Sequence, residues 1–290
     1  MQQLVNGLGL GGTYALLGLG LTLIWGVLGV LTFAQAQVMT WGAFGSLAAI
    51  SLGAPASVAV LCGVVAGALV CMAIDSVVIN PIRRRGGTDF SFVAATMGVA
   101  VALSAVLQWL SKSESHVFPQ AGFPTGAIHL GEVIVPTLQA VVLLSGLVLG
   151  GVLMLVLRLT SFGRQVRAVV LSREVSALLG INVRMVYVLT SAIAGAVTGL
   201  AGVFLAVSNA NLSYSSGDSL LLVAFAVAVL GGIGSLGGAL VGGLLLGVAQ
   251  VMAVAHLSSA FQQGAAYIAI LLVLAVRPQG LFGSREMVRV

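Results

Sequence analysis

The chain alternates between long apolar runs and short polar connections from its first residues onward. No Asp, Glu, Lys or Arg occurs before Asp75, and none occurs between residues 219 and 276. A helix needs about 20 consecutive apolar residues to cross the hydrocarbon core of a bilayer, so the runs predict membrane spans. We place these spans at residues 4–25, 56–79, 91–110, 133–157, 186–208, 219–233, 238–256 and 261–276.

Residues 26–52 interrupt this pattern. Thr32, Gln35 and Gln37 fall at membrane depth within an otherwise apolar stretch. Broken backbone at that depth is tolerated only where it is buried in protein or lines a cavity, and discontinuous helices are a recurrent device of transporters. The pattern therefore predicts an all-α, polytopic transmembrane helical bundle. It forms one domain over residues 1–290, with eight or nine membrane segments and one or more discontinuous helices.

The composition also indicates a membrane protein, because 59% of the residues are hydrophobic and only 7% are charged, against about 25% charged residues in soluble domains. Basic residues cluster in short connections, and the positive-inside rule places Arg83–Arg85, Arg158–Arg184 and Arg277–Arg289 in the cytoplasm. Residues 111–132 then form an external loop. Three crossings before the first basic cluster would put the N-terminus outside, whereas it lies inside if residues 26–52 do not cross fully. A net charge of +5 distributed in this way does not indicate nucleic-acid binding.

Motifs for catalysis, metals and cofactors are missing from the sequence. Cys62 and Cys71 lie nine residues apart in one apolar run, on different helix faces, and imply neither a disulfide nor a metal site. Two G-x-G-x-x-G matches, starting at Gly7 and Gly232, lack the acidic residue of a dinucleotide-binding fold. Lys112, the one lysine, has no phosphate-binding glycine loop before it. We therefore expect no enzyme activity, no catalytic residue, no metal ligand and no cofactor bound by this chain.

Five amide and hydroxyl side chains at membrane depth are candidates for a substrate pathway. Such groups need partners in a bilayer and face the bundle interior or a cavity. They would line a route for a small polar solute, or they would make hydrogen bonds between helices, and the sequence leaves both alternatives open. The polar residues 209–218 are expected to form an outer loop rather than a binding site. The five candidates are Gln35, Gln37, Thr40, Thr96 and Gln250.

A polar segment at residues 159–184 separates two almost uncharged regions. Together with the residue before it, the segment holds five of the chain's twelve basic residues. At about 100° per residue, it predicts a helix from Gly163 to Leu179 with apolar residues in two stripes. A helix that merely rests on a bilayer shows one stripe, so two stripes favour a helix held between two protein surfaces. Gly180 is expected to end the helix, with Asn182 in the turn. The alternative is a basic loop that sets topology and has no partner.

Four stretches carry motifs in order along nearly the whole chain. They are Asn6–Val27, Gly163–Val183, Ala224–Ala239 and Arg277–Gly283, the last reading Arg-Pro-Gln-Gly-Leu-Phe-Gly. Together these stretches resemble the branched-chain amino acid permease family of ABC importers. The resemblance implies a permease subunit in the bacterial inner membrane that works with a second, similar permease. It also implies two cytoplasmic ATPase subunits, which bind ATP and Mg²⁺, and an external solute-binding protein.

The resemblance implies further that segment 159–184 couples the ATPases to the bundle, and that substrates are branched-chain and other amino acids, urea or short amides. The family usually has Asn-Phe-Ala-His-Gly after the first span, whereas residues 32–36 here read Thr-Phe-Ala-Gln-Ala. If this region lines the pathway, the departure makes it neutral and less flexible, which bears on whether branched-chain amino acids are the substrate and not on the transporter class. The coupling role then falls on Gly163, Arg164, Arg167, Ala168, Leu171, Glu174, Leu179, Gly180 and Asn182.

A stand-alone secondary transporter, or a passive channel for a small neutral solute, is the alternative function. Ion-coupled carriers usually keep an ionisable group in mid-membrane, and the predicted spans place none there. This argues against ion coupling and leaves a passive pore open.

Overall fold

The computed structural model of the protein describes residues 2–120, 122–124, 126–130, 133–256, 264, 267, 268, 271, 273, 275, 277 and 280–282. This part of the chain is an all-α, polytopic bundle. In chain order, its helices are α1 (Gln2–Leu28), α2 (Gln35–Ser51), α3 (Ala56–Ile74), α4 (Asn80–Arg84), α5 (Asp89–Leu110), α6 (Thr137–Leu159), α7 (Ser161–Leu171), α8 (Arg173–Leu178), α9 (Val183–Asn209), α10 (Asp218–Gly231) and α11 (Leu236–His256).

Six helical stretches of the described chain are long and apolar enough to cross a membrane. One of them joins α3 to α4 through a π-helical turn at Asp75–Ile79, so that helix continues without a break to Arg84. The other five are α1, α5, α6, α9 and α11. The predicted span at 261–276 falls mainly outside the described residues.

Two pairs of short antiparallel strands lie at one end of the bundle. β1 (His116–Val117) pairs with β4 (Asn211–Leu212), so the connection after α5 lies beside the connection after α9. β2 (Ala127–Leu130) pairs with β3 (Val133–Pro136) in a hairpin. The side chain of Gln2 both donates to and accepts from the backbone of β3, which places the start of α1 at this end too.

The opposite end gathers the end of α1, the end of α4 and the start of α9. Arg83 Nη2 donates to the carbonyl oxygen of Leu28 at 2.9 Å, and its guanidinium lies over the ring of Tyr187, 4.1 Å from the centroid. α7 and α8, which directly precede α9, are near this end as well. The basic residues of α4, α7 and α8 therefore share one end, as the positive-inside rule requires.

The irregular region at residues 26–52 contains a break between two helices. α1 continues to Leu28, residues 29–34 are not helical, and α2 begins at Gln35. Gly29 has a φ of 66°, in the left-handed region that glycine adopts readily. The polar positions that interrupted the apolar pattern therefore mark the start of a new helix.

Two other predicted spans differ from the observed helices at one boundary. The predicted span at 133–157 begins later, at Thr137, because residues up to Pro136 belong to β3. The predicted span at 219–233 ends earlier, at Gly231, because Gly232 has a φ of 96° and leaves the helix. Hydropathy locates an apolar run, but the strand pairing and glycine backbone decide where the helix starts and stops.

Glycine lets the central helices approach one another closely. α1 packs antiparallel on α11, and a Cβ on Gly11 would lie 2.8 Å from the Cα of Leu244. α9 packs in the same way on α3, and a Cβ on Gly199 would lie 2.6 Å from the carbonyl oxygen of Gly63. Small residues at such positions allow helix backbones to touch within a membrane, so these glycines hold the bundle together.

The helices form two sets with the same order. Each set has a 27-residue helix, a non-helical connection, a short helix and a longer helix: α1, 29–34, α2 and α3, then α9, 210–217, α10 and α11. α1 packs on α11 and α9 packs on α3, so the sets interlock. α1 and α9 run in opposite directions between the two ends. This arrangement brings the start of α2 beside the start of α10.

Residues 280–282 contact the end of α10. Leu281 N donates to the carbonyl oxygen of Leu230 at 2.8 Å, and Phe282 N donates to that of Gly231 at 3.1 Å. Gly280 has a φ of 78°, and a Cβ there would lie 2.5 Å from the carbonyl oxygen of Val229. The last carbonyls of a helix lack hydrogen-bond donors inside it. The backbone N–H groups of Leu281 and Phe282 supply donors for two of these carbonyls.

Candidate functional site

Buried hydrogen bonds hold several of the predicted pathway residues between helices. Gln250 Oε1 accepts from the hydroxyl of Tyr14 at 2.6 Å, which joins α11 to α1. Gln35 Nε2 donates to Thr198 Oγ1 at 2.5 Å, which joins α2 to α9. Gln35 is 3% exposed and Gln250 1%. These two amides therefore have partners without any solute, as the hydrogen-bonding alternative requires.

The two predicted pathway threonines bond to backbone. Thr40 Oγ1 donates to the carbonyl oxygen of Ala36, one turn earlier in α2, at 3.2 Å. Thr96 Oγ1 donates to Phe92 O at 2.8 Å and accepts from Phe33 N at 3.3 Å. Thr96 thus ties α5 to the break at residues 29–34. Both threonines are fully buried.

Gln37 differs from the other four candidates. Its Nε2 donates to Asp218 Oδ1 at 2.7 Å, while its Oε1 has no hydrogen-bond partner. The Gln37 side chain is 1% exposed, whereas Asp218 is exposed on the surface of this chain. The structure therefore joins the third residue of α2 to the first residue of α10 and leaves an amide oxygen unsatisfied there.

The segment at residues 159–184 is helical but not as one helix. α7 ends at Leu171, and Ser172 adopts an extended backbone with φ −159° and ψ 117°. Ser172 Oγ then accepts from Val175 N at 3.3 Å and caps α8. The predicted continuous helix from Gly163 to Leu179 is therefore wrong at this point, because a serine side chain favours a new helix start.

One face of α7 packs on the bundle. Val166 and Val169 are buried, and a Cβ on Gly163 would collide with the backbone of Leu157 in α6. Arg167 Nη1 donates to the carbonyl oxygen of the same Leu157. This face anchors α7 to the end of α6.

The other face of the segment carries apolar side chains that no part of the described chain covers. Leu171 is 87% exposed and Leu178 86%. Among the predicted coupling residues, Arg164, Arg167 and Glu174 are exposed as well, and Ala168 is half-buried. The uncovered apolar set is Val170, Leu171, Val175, Leu178 and Leu179.

The last two predicted coupling residues shape the connection to α9. Gly180 has a φ of 81° and follows the end of α8, as predicted from its glycine character. Asn182 Oδ1 accepts from Met185 N at 3.1 Å. Asn182 is therefore the N-cap of α9 as well as part of the turn, so α8 is joined to the start of α9 by a short connection.

Comparison with known proteins assigns the chain to a family. The family model described as "Branched-chain amino acid transport system / permease component" matches residues 3–276. The chain belongs to this permease family. It is therefore a multi-pass membrane protein and a transport permease component, as its motifs predicted.

Individual relatives match the chain over most or all of their length. The permease is 30% identical over 306 residues to the high-affinity branched-chain amino acid permease protein LivH of Salmonella typhimurium, covering 100% of this chain and 97% of the relative. It is 31% identical over 303 residues to BraD of Pseudomonas aeruginosa, covering 100% and 98%. It is 27% identical over 284 residues to a probable LivH of Methanocaldococcus jannaschii, covering 92% and 88%. No solved structure matches the permease.

Asp218 is the residue that sequence reasoning missed. Residues 209–218 were expected to form an outer loop, and β4 at Asn211–Leu212 does pair with β1 at the outer end. The chain then turns inward, and Gly217 packs so closely that a Cβ there would lie 2.5 Å from Thr40 Oγ1. The signal in the sequence is a glycine followed by an acid directly before an apolar run, which is a pattern typical of a helix start.

A buried charged cluster lies at the inner end of the permease. Asp75 is 2% exposed, and its Oδ1 has no hydrogen-bond partner. Arg83 bonds to α1 and stacks on Tyr187 of α9 rather than pairing directly with this oxygen. Within the described residues, no group of three His, Cys, Asp or Glu side chains is arranged to hold a metal ion.

Proposed function

We propose that the permease is the membrane-spanning subunit of an ABC importer for a small polar solute, and that separate ATPase subunits drive it through α7 and α8. The observation that carries this proposal is the exposed apolar set of α7 and α8, beside exposed Arg164 and Arg167. Burying apolar area stabilises a contact by about 25 cal/mol per Å². A segment anchored on one face and apolar on the other suits docking to a second protein.

The route from this surface into the bundle is short. α7 holds α6 through Arg167 and Leu157, and α8 leads through Gly180 and Asn182 into α9. A cavity of about 370 Å³ lies between α7 and the end of α1. We propose that ATP binding closes the ATPase subunits and moves α7 and α8 as one body, which tilts α6 and α9 and switches access to the pathway.

The membrane arrangement follows from the two ends of the bundle. The proposed location is the bacterial inner membrane, with α4, α7 and α8 in the cytoplasm and the strand pairs outside. α1 runs from the outer end, where Gln2 bonds to β3, to the inner end at Leu28, which favours an external N-terminus. Six long helices together with α2, α10 and the predicted segment at 261–276 are in keeping with eight or nine membrane segments.

The partners we propose are a second, similar permease, two ATPase subunits that bind ATP and Mg²⁺, and an external solute-binding protein. The substrate belongs to the amino acid, urea and amide class. Branched-chain amino acids are favoured within this class, because the relatives LivH and BraD are named as branched-chain amino acid permeases. The coupling residues remain those predicted from Gly163 to Asn182, and residues 1–290 are treated as one permease domain.

Co-purification tests this function directly. A tagged permease is purified in mild detergent from its native host, and the accompanying proteins are identified by mass spectrometry. We expect two ATPase subunits and a second permease, and we expect cells with all components to import radiolabelled leucine. A permease that purifies alone, or only with itself, would contradict the proposal and support a stand-alone carrier or channel.

A further inference from the structure

The start of α2 and the start of α10 meet inside the bundle. Gln37 bonds to Asp218 at 2.7 Å, and Gly217 packs against Ala36 and Thr40 without room for a side chain. The N-cap residues of both helices, Ala34 and Gly217, provide no side-chain hydrogen bond. The first N–H groups of a helix lack partners within it, and they give that end a partial positive charge. The starts of α2 and α10 therefore lie side by side at this place.

This meeting point lies well within the membrane-spanning part. Gln37 precedes the end of α2 at Ser51 by 14 residues, which is about 21 Å of helix. It also follows Leu28, the inner end of α1, by nine residues. The exposed carboxylate of Asp218 is held at the depth of Gln37. Ionised groups inside a membrane face a water-filled cavity or the bundle interior rather than lipid, so this face of the permease borders a polar space or a partner subunit.

The same place has hydrogen-bond acceptors with unused capacity. Gln37 Oε1 is buried and unpartnered, and leaving a buried acceptor unsatisfied is unfavourable. The Asp218 carboxylate accepts one bond from Gln37 and has capacity for more. An amide oxygen and a carboxylate side by side suit an ammonium group, which has three donors and no acceptor.

We propose, on the basis of the import function above, that this site binds the transported amino acid by both of its charges. The α-ammonium group donates to Gln37 Oε1 and to the Asp218 carboxylate. The α-carboxylate faces the N–H groups at the starts of α2 and α10, where helix ends favour an anion. Because Gln37 Oε1 is closed off in the present conformation, the solute reaches it only after α10 shifts relative to α2. Urea and simple amides lack both charges and bind poorly.

Leucine uptake by the complete transport system tests this site. Asp218→Asn keeps the shape of the side chain and still accepts a hydrogen bond from Gln37, but it removes the charge. We expect it to lower uptake at least tenfold, and Gln37→Leu to lower uptake at least threefold. Asp218→Glu keeps the carboxylate and is expected to retain more uptake than Asp218→Asn. Membrane abundance and co-purification of the partners are measured for each variant and are expected to be unchanged.

Two matched controls separate the site from general effects. Asp89→Asn removes another exposed acid from the first turn of a helix, at the start of α5. Gln139→Leu removes another glutamine whose Oε1 has no partner. Both are expected to keep uptake within twofold of the unaltered permease. Unchanged uptake in Asp218→Asn and Gln37→Leu would overturn the site while leaving the import function standing. No leucine uptake by the unaltered system would instead remove the function on which the site rests.

Discussion

The interior of the bundle and the α7–α8 segment break the usual partition of residues in opposite ways. The bundle buries amides such as Gln35 and Gln250, whereas the segment exposes leucines such as Leu171 and Leu178. The buried amides have partners inside the chain, while the exposed leucines have none in the described part of it. The comparison teaches that these two buried amides are accounted for within the bundle, whereas the exposed leucines of the segment suit a contact with another protein.

The largest effect is expected from a substitution that separates two closely packed helices of the bundle. We expect Gly199→Val to prevent stable folding, because a Cβ at Gly199 would lie 2.6 Å from the carbonyl oxygen of Gly63 and would push α9 away from α3. Overpacking of this kind costs about 1–3 kcal/mol or more. Yield and melting temperature in detergent measure the effect. Gly98→Val is the matched control, since nothing lies within 4 Å of a Cβ there. Equal yields of the two variants would contradict close packing of α9 on α3.

Substitutions on the α7–α8 surface are expected to impair transport without impairing folding of the permease. Leu171→Asp combined with Leu178→Asp should abolish co-purification of ATPase subunits and leucine uptake, while the melting temperature of the permease stays the same. Full burial of a leucine contributes about 1.5–3 kcal/mol, so each loss weakens docking by about tenfold or more. Arg164→Glu is expected to act in the same direction.

The control for this pair is Leu52→Asp, because Leu52 is 87% exposed, as is Leu171, but lies after α2 at the outer end. ATPase subunits should still accompany that variant. If the double variant keeps its ATPase subunits, the apolar surface of α7 and α8 is not the docking surface.

The smallest expected effect concerns a single buried bond. Tyr14→Phe removes the hydroxyl that donates to Gln250. Interhelical hydrogen bonds in membranes average about 0.6 kcal/mol and reach about 1.7, so we expect a destabilisation in that range. A double-mutant cycle with Gln250→Leu, followed by thermal unfolding, gives the coupling energy. Tyr267→Phe, at an exposed tyrosine, should leave stability unchanged. A coupling energy of zero would show that this hydrogen bond contributes nothing to the stability of the permease.

Hydropathy was sufficient to predict the all-α membrane fold and the break near Gln35. It was not sufficient for Asp218, because composition reports how polar a stretch is but not how deep it lies. The stretch before Asp218 does pair as a strand outside, and the inward turn depends on the contact of Gly217 with α2.

The break at Ser172 escaped for a similar reason. The apolar period continues through it, while the choice between one helix and two depends on a local side-chain bond to Val175. Among the pathway candidates, the residue types were informative about burial. Only the structure distinguishes Gln37, whose Oε1 has no hydrogen-bond partner, from Gln35, which bonds to Thr198. Pairwise geometry of this kind is absent from a one-dimensional pattern.

The contact of residues 280–282 with α10 has a consequence for synthesis. The carbonyl oxygen of Leu230 receives its hydrogen bond from Leu281, which lies 51 residues later in the chain. A ribosome adds about 5–20 residues per second, so α10 waits about 3–10 s for this partner while the chain is being inserted. During that interval the last carbonyls of α10 lack the hydrogen bonds from Leu281 and Phe282. The hydrogen bonds at the inner end of this helix therefore form late in biogenesis, only after residues 280–282 have been synthesised.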